Sequence, residues 1–209
     1  MPLDAWMPRW DARSAHEVEV MAAPEVVYQA LLQADFGRNP VVRLLMAFRM
    51  LPGLLLAPRR AWQRWRRPDP CSLPGPMGRL LGGAFAELES RPPTELILGL
   101  TGRFWTPAGD LFATSPTTFR EPIPPGLARA AWSFQLEPRG PARTLLTTET
   151  RVVCGDEATR RQFLRYWGII QPGSGMIRRA LLRQVKRAAE LVYLLTTETR
   201  KTRNCTENS

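Results

Sequence analysis

The stretch TLLTTETRVVCGDE, residues 144–157, holds a strand, the point where it stops and the first turn of a helix. Thr144, Leu146, Thr148, Thr150, Val152 and Cys154 fall on one side of an extended chain, and Leu145, Thr147, Glu149, Arg151 and Val153 on the other. The density of Thr and Val favours strand over helix. Gly155 breaks the strand, Asp156 is a strong helix N-cap, and Glu157 suits the positive end of the helix dipole. Beyond a break expected at Pro172-Gly173-Ser174-Gly175, the residues Ile177, Leu181, Val185, Ala188, Val192 and Leu195 recur in steps of three and four. Arg179, Arg183, Lys186, Arg187 and Glu190 lie opposite, so this helix is expected to bury one face on a sheet.

The sheet is expected from the residues before it. Strand patterns occupy 84–90, 94–101, 111–114, 129–137 and 144–154, separated by turn signals such as Arg91-Pro92-Pro93 and Pro138-Arg139-Gly140-Pro141. A first strand runs from Ala15 to Met21. A helix opens at Ala23-Pro24-Glu25, and a second at Asn39-Pro40 carries Val41, Leu44, Leu45, Phe48 and Leu51 up to Pro52-Gly53. Strand, two helices, several antiparallel strands and a long helix is an α+β order. Residues 1–14 are read as an irregular lead-in, 15–195 as one domain with an Arg- and Pro-rich insert at about 52–78, and 196–209 as a polar tail. LLTTETR occurs at 145–151 and again at 194–200, too few copies for a repeat architecture.

At 209 residues the chain is long enough for one well-filled core, and 44% hydrophobic with 23% charged residues is globular rather than disordered. The net charge of +10 rests on 27 arginines against two lysines, Lys186 and Lys201. Residues 38–67 carry eight arginines and 160–187 carry seven with Lys186, neither with an acid, so the rest of the chain is net negative. Neighbouring basic helices would make one positive face able to meet an anionic membrane surface; nucleic acid is the less favoured partner. Trp62 and Trp65 among the insert's arginines read first as the buried edge of a short helix. Residues 41–57 are Leu-rich, but Arg43, Arg49 and Pro52-Gly53 interrupt them, so no spanning helix is expected. Cys71, Cys154 and Cys205 lack metal-type spacing, which fits a reducing, cytoplasmic setting without a disulfide framework.

Several phrases in order resemble the SRPBCC superfamily, the START/Bet v 1-like and polyketide cyclase-like helix-grip proteins. Val18-Glu19-Val20-Met21-Ala22-Ala23-Pro24-Glu25-Val26-Val27-Tyr28 is similar to its opening strand and A-P-x-x-V-(W/Y) helix start. Gly102-Arg103-Phe104-Trp105 and Thr148-Glu149-Thr150-Arg151-Val152 are further matches to it, and Asp156 to Trp167, Pro172-Gly173-Ser174-Gly175 and Ile177-Arg178-Arg179 resemble a bacterial branch of that superfamily. The resemblance implies a curved antiparallel sheet gripping the C-terminal helix over an apolar cavity that takes a hydrophobic small molecule or lipid. It also leaves open a cyclase or dehydratase, and fold alone does not choose between them.

The ligand-facing candidates are Phe104, Trp105, Phe112, Phe119, Trp132, Phe134, Thr148, Thr150, Tyr166 and Trp167, any one of which would serve equally as core. Glu149 and Arg151 share a strand face and are candidate polar anchors, with a structural ion pair as the favoured rival. His16, the only histidine, reads as structural. No cluster suggests a metal, no glycine spacing suggests a cofactor phosphate, and no catalytic residues are assigned, so the reading leans against an enzyme. The ligand and the oligomeric state stay open.

Overall fold

The computed structural model describes residues 2–35, 85–106 and 110–207. The second short helix, the insert, Trp62, Trp65, the 38–67 arginines and Cys71 lie outside the described residues, as does the side chain of Cys205. The protein is α+β, with a six-stranded antiparallel sheet and a long C-terminal helix in a helix-grip arrangement. The strands are β1 (Ala12–Val20), β2 (Ala86–Arg91), β3 (Glu95–Arg103), β4 (Asp110–Phe112), β5 (Ala128–Gly140) and β6 (Arg143–Cys154). Their order is β1-β6-β5-β3-β2, with β4 beside the far end of β3. The helices are α1 (Pro2–Trp6), α2 (Pro24–Gln33) and α3 (Glu157–Glu207).

The alternation in 144–154 sorts onto two faces as expected, and both faces are covered. On the inner face Val20, Leu96, Leu98, Phe134, Leu136 and Leu146 pack with Val27, Leu31, Leu181, Leu182, Val185 and Ala189 of α2 and α3. Further along the same face Ala128, Ala130 and Val152 meet Phe163. On the outer face Ile97 and Ala131 lie under Leu3, Met7 and Phe119. Central β3 is therefore buried at eight successive positions from Glu95, and its apolar run has no polar face to show. Truncating a side chain such as Phe134, with no exposed surface, costs about 3–5 kcal/mol.

Three boundaries differ from the sequence reading. Residues 1–14 are not irregular, because Leu3 and Met7, four apart, bury on the outer sheet face and hold α1 there, and β1 begins at Ala12. Pro172-Gly173-Ser174-Gly175 does not break the helix, which runs through it. Propensity opposes this by about 3 kcal/mol for Pro and about 1 for each Gly, but Phe163 on one side and Leu181 on the other both seat on the sheet. The backbone then stays helical to Glu207 instead of ending in a tail at 196. The buried stripe of that helix is Leu181, Leu182, Val185 and Ala189, whereas Val192 and Leu195 are 47% and 58% exposed.

The junction that decided the reading is as expected. Asp156 Oδ1 accepts the Thr159 backbone N–H at 2.9 Å, and Oδ2 accepts the Gly126 N–H at 2.5 Å. The Thr159 hydroxyl, which donates to Oδ2 at 2.5 Å, and then these backbone bonds hold the Asp156 carboxyl down at about 2. Gly155 is required by close approach: a Cβ there would lie 2.4 Å from the Pro124 carbonyl oxygen.

Candidate functional site

The inner face of β1, β5 and β6 beneath the middle of α3 differs from the apolar packing at either end. Strand register sets Ser14 opposite Thr150 and His16 opposite Thr148, with Trp132 on the far side of Thr150. Trp132 Nε1 donates to Thr148 Oγ1 at 2.7 Å, and that hydroxyl donates to the Ser133 carbonyl at 3.0 Å. Thr150 is buried, yet its Oγ1 has no hydrogen-bond partner. Ser14 Oγ lies 3.3 Å from His16 Nε2. The His16 ring packs against α3, 3.5 Å from where a Cβ on Gly175 would stand. Burial, with Arg178 and Arg179 nearby, pushes its pKa below the ordinary value, so the ring is neutral at pH 7.

From α3, Ser174 and Arg178 enter the inward line that otherwise reads Phe163, Trp167, Leu181, Val185 and Ala189. Arg178 Nη1 donates to Ser174 Oγ at 2.7 Å, while Nε is buried without a partner. Burial lowers its pKa to about 10, and it remains a cation at neutral pH. On the Phe163 side the rings of Phe104, Trp105, Tyr166 and Trp167 surround that residue at centroid distances of 5.8–6.3 Å. Trp105 Nε1 is a third buried polar atom without a partner. Trp132, although flanked by strands on both sides, is only half-buried, with Phe134 and Phe85 against it at 4.8 and 5.9 Å.

The outer face holds a different polar group. Glu149 accepts from Arg13 Nε at 2.7 Å and Nη2 at 3.1 Å, and from Arg151 Nε at 2.7 Å. Arg151 Nη1 also donates to Asp4 Oδ1 at 2.5 Å and the Met7 carbonyl at 2.7 Å, and its guanidinium stands 4.2 Å from the Trp10 ring centre. Burial pushes the Glu149 carboxyl up, but the hydrogen bonds from Arg13 and Arg151 outweigh it and leave the pKa below the ordinary range. Arg129 donates to the carbonyls of Thr118, Phe119 and Glu121, which fixes the 3-10 turn Thr118–Arg120 on this side.

No family model matches the chain, and neither does any curated protein sequence. Among solved structures, the chain is similar to a conserved protein from Geobacillus kaustophilus (11% identity, 85% of this chain and 95% of that one, TM-score 0.39). It is similar to the Zhui aromatase/cyclase from Streptomyces sp. R1128 (14% identity, 86% and 93% covered, TM-score 0.31). It is also similar to the di-domain ARO/CYC BexL from the BE-7585A biosynthetic pathway (12% identity, TM-score 0.32), spanning 47% of that longer protein. At such identities and scores these likenesses carry nothing about ligand or reaction.

Of the ten ligand-facing candidates, Phe104, Trp105, Trp132, Phe134, Thr148, Thr150, Tyr166 and Trp167 lie on the inner side of the sheet or on α3. Two do not. Phe119 is buried under Trp6 on the outer face, because Arg129 anchors its turn there. Phe112 is 51% exposed on the short edge strand β4. Glu149 and Arg151 share a face as expected, but it is the outer one, so they do not look toward α3. Arg178 and Ser14 were missed. Stepping back three residues from Leu181 along the buried stripe leads to Arg178, whereas the expected stripe stepped back four, to Ile177.

Among the described residues there are surface hollows of measurable volume. One of about 590 Å³ lies at the β1 and β5–β6 hairpin edge, and one of about 450 Å³ lies between α2 and α3, lined by Val26, Ala30, Ala188 and Val192 among others. Neither is lined by the inner-face aromatics. Arg161, Arg165, Arg179, Arg183 and Arg187 are exposed along α3. Among the described residues, no helix is long and apolar enough to cross a membrane, and no group of His, Cys, Asp or Glu is placed to hold a metal ion.

Proposed function

We propose that the protein encloses a hydrophobic small molecule or lipid between the inner sheet face and α3. The observation that carries this reading is the condition of the inner face between its two packed ends. Trp132, in a strand with neighbours on both sides, keeps part of its surface uncovered. The aromatic group around Phe163 adjoins it through Phe85, and both Trp105 Nε1 and Thr150 Oγ1 are buried without partners among the described residues. Aromatic walls with a few convergent polar atoms suit an apolar ligand held in one orientation. The outer face has the opposite character, since its charges hold one another.

A cyclase-like reaction through Glu149 is not supported, because that carboxylate is on the outer face and already accepts from two arginines. Binding of the neutral fluorophore N-phenyl-1-naphthylamine, together with native mass spectrometry of gently purified protein, tests the proposal. Saturable one-to-one binding with energy transfer from tryptophan is the expected result. A bare mass together with no saturable fluorophore binding would overturn it.

A further inference from the structure

The inward line of α3 contains one cation, Arg178, between the apolar cluster around Phe163 and the one around Leu181 and Leu182. Among the described residues its hydrogen bond is to a neutral hydroxyl, Ser174 Oγ at 2.7 Å, and Nε, buried within a half-buried residue, has no acceptor. The two fully buried arginines of the described residues differ: Arg151 is paired with Glu149 and Asp4, and Arg129, whose Nε is likewise unpartnered, is held by three carbonyls. A buried charge without a counter-charge is costly, and proteins normally pair it or bind an ion of opposite sign. The groups around His16, the strand residue that Arg178 acts on, are of a suitable kind. His16 is neutral at pH 7 and hydrogen-bonded to Ser14, Arg179 adds positive potential, and Thr150 offers an unused hydroxyl. Glu149, between Thr148 and Thr150 in β6, points away to the outer face.

Taking the enclosed apolar ligand as given, we propose that this ligand is an anionic amphiphile whose carboxylate or phosphate monoester is held by Arg178, with Thr150 and Ser14 as further hydrogen-bond partners. The planar guanidinium, with two donor edges, matches either oxyanion. The flanking rings of Trp105, Trp132, Tyr166 and Trp167 would take the apolar part. The polar break in the stripe thereby sets the end of the ligand that stays near α3.

Three probes with one tail separate the head from the chain: dodecanoate, dodecyl phosphate and dodecan-1-ol, each titrated by displacement of N-phenyl-1-naphthylamine. The wild-type protein is expected to bind at least one acid about tenfold or more tightly than the alcohol, the range of a charge-assisted hydrogen bond. Which acid is tighter tells carboxylate from phosphate. Arg178→Met should lose that preference while binding the alcohol as before, and Arg183→Met, altering an exposed arginine elsewhere on α3, should keep it. Should Arg178→Met not fold, Arg178→Lys retains the charge without the fork and should keep only part of the preference. An acid preference that survives in the Arg178 variant overturns the assignment. Equal binding of acids and alcohol by the wild type overturns it too, while leaving the apolar site in place. Displacement by none of the three, with no fluorophore binding, removes the proposed function itself.

Discussion

The two faces of this sheet bury polar atoms on opposite terms. Outside, beneath α1, Glu149 is shared by Arg13 and Arg151, and Arg151 reaches on to Asp4 and the Met7 carbonyl. Inside, at α3, Arg178 Nε, Thr150 Oγ1 and Trp105 Nε1 have no partner among the described residues. Two outer-face atoms are also unmatched, Arg129 Nε and Glu95 Oε1. Their situation differs, because Arg129 is held by three carbonyls and burial pushes the Glu95 carboxyl toward its neutral form. A buried group that has found its partners contributes to the fold, whereas one that has not destabilises it unless something binds. The outer network therefore reads as structure, and the proposed site is on the inner face.

The largest effect should come from breaking the outer network. Arg151→Ala leaves Glu149 buried beside Arg13 alone and unhooks α1 from the sheet, so a loss of about 3–5 kcal/mol is expected. Urea denaturation measures it, and a loss below about 1 kcal/mol would show that the network is not what holds α1. The same network sets an acid limit. The folded pKa of Glu149 lies below its unfolded value, so its contribution is complete above about pH 4.3 and is lost as pH falls through the folded value. The Asp156 cap, held at about 2, acts with the same sign. Stability should fall between about pH 5 and 2, and Glu149→Gln should flatten that slope. An unchanged slope would sever Glu149 from the acid limit.

The sequence made the sheet legible because each strand signal is local. The alternation of 144–154, the turn prolines and the Gly155-Asp156 junction all depend on neighbours a few residues away. Face assignment within β6 was legible for the same reason. Which face meets α3 was not, because that depends on α1 packing from the opposite end of the chain, and α1 is only five residues long. Glu149 and Arg151 were thus correctly paired yet placed toward the wrong layer. The unbroken helix was not legible either: Pro172 and two glycines signal a stop, and only packing on both sides of them keeps the helix whole. Arg178 was hidden because the expected stripe stepped back four from Leu181, to Ile177, and not three. Counted as one of many solvated arginines, it could not be distinguished by residue type.

A finer test of the two-face comparison lies within β6, at hydroxyls two residues apart on one face. Thr148 Oγ1 accepts from Trp132 and donates to the Ser133 carbonyl, so Thr148→Val should cost about 2 kcal/mol by leaving both unpaired.

Thr150 is buried to a similar degree, but its hydroxyl is unpartnered, and valine keeps the β-branched shape that suits the strand. Thr150→Val should therefore leave stability unchanged or raise it by up to about 1 kcal/mol, since an unsatisfied polar atom is removed from the interior. If Thr150 serves the ligand, the same substitution should weaken dodecanoate or dodecyl phosphate a few-fold while leaving the alcohol's binding as it was. Thermal denaturation and probe displacement on one preparation measure both quantities. A gain in stability with a loss of binding is what a residue kept for its ligand produces. A loss of stability with unaltered binding would mean that Thr150 is held by the fold after all, and the contrast between the two faces would then rest on Arg178 and Trp105.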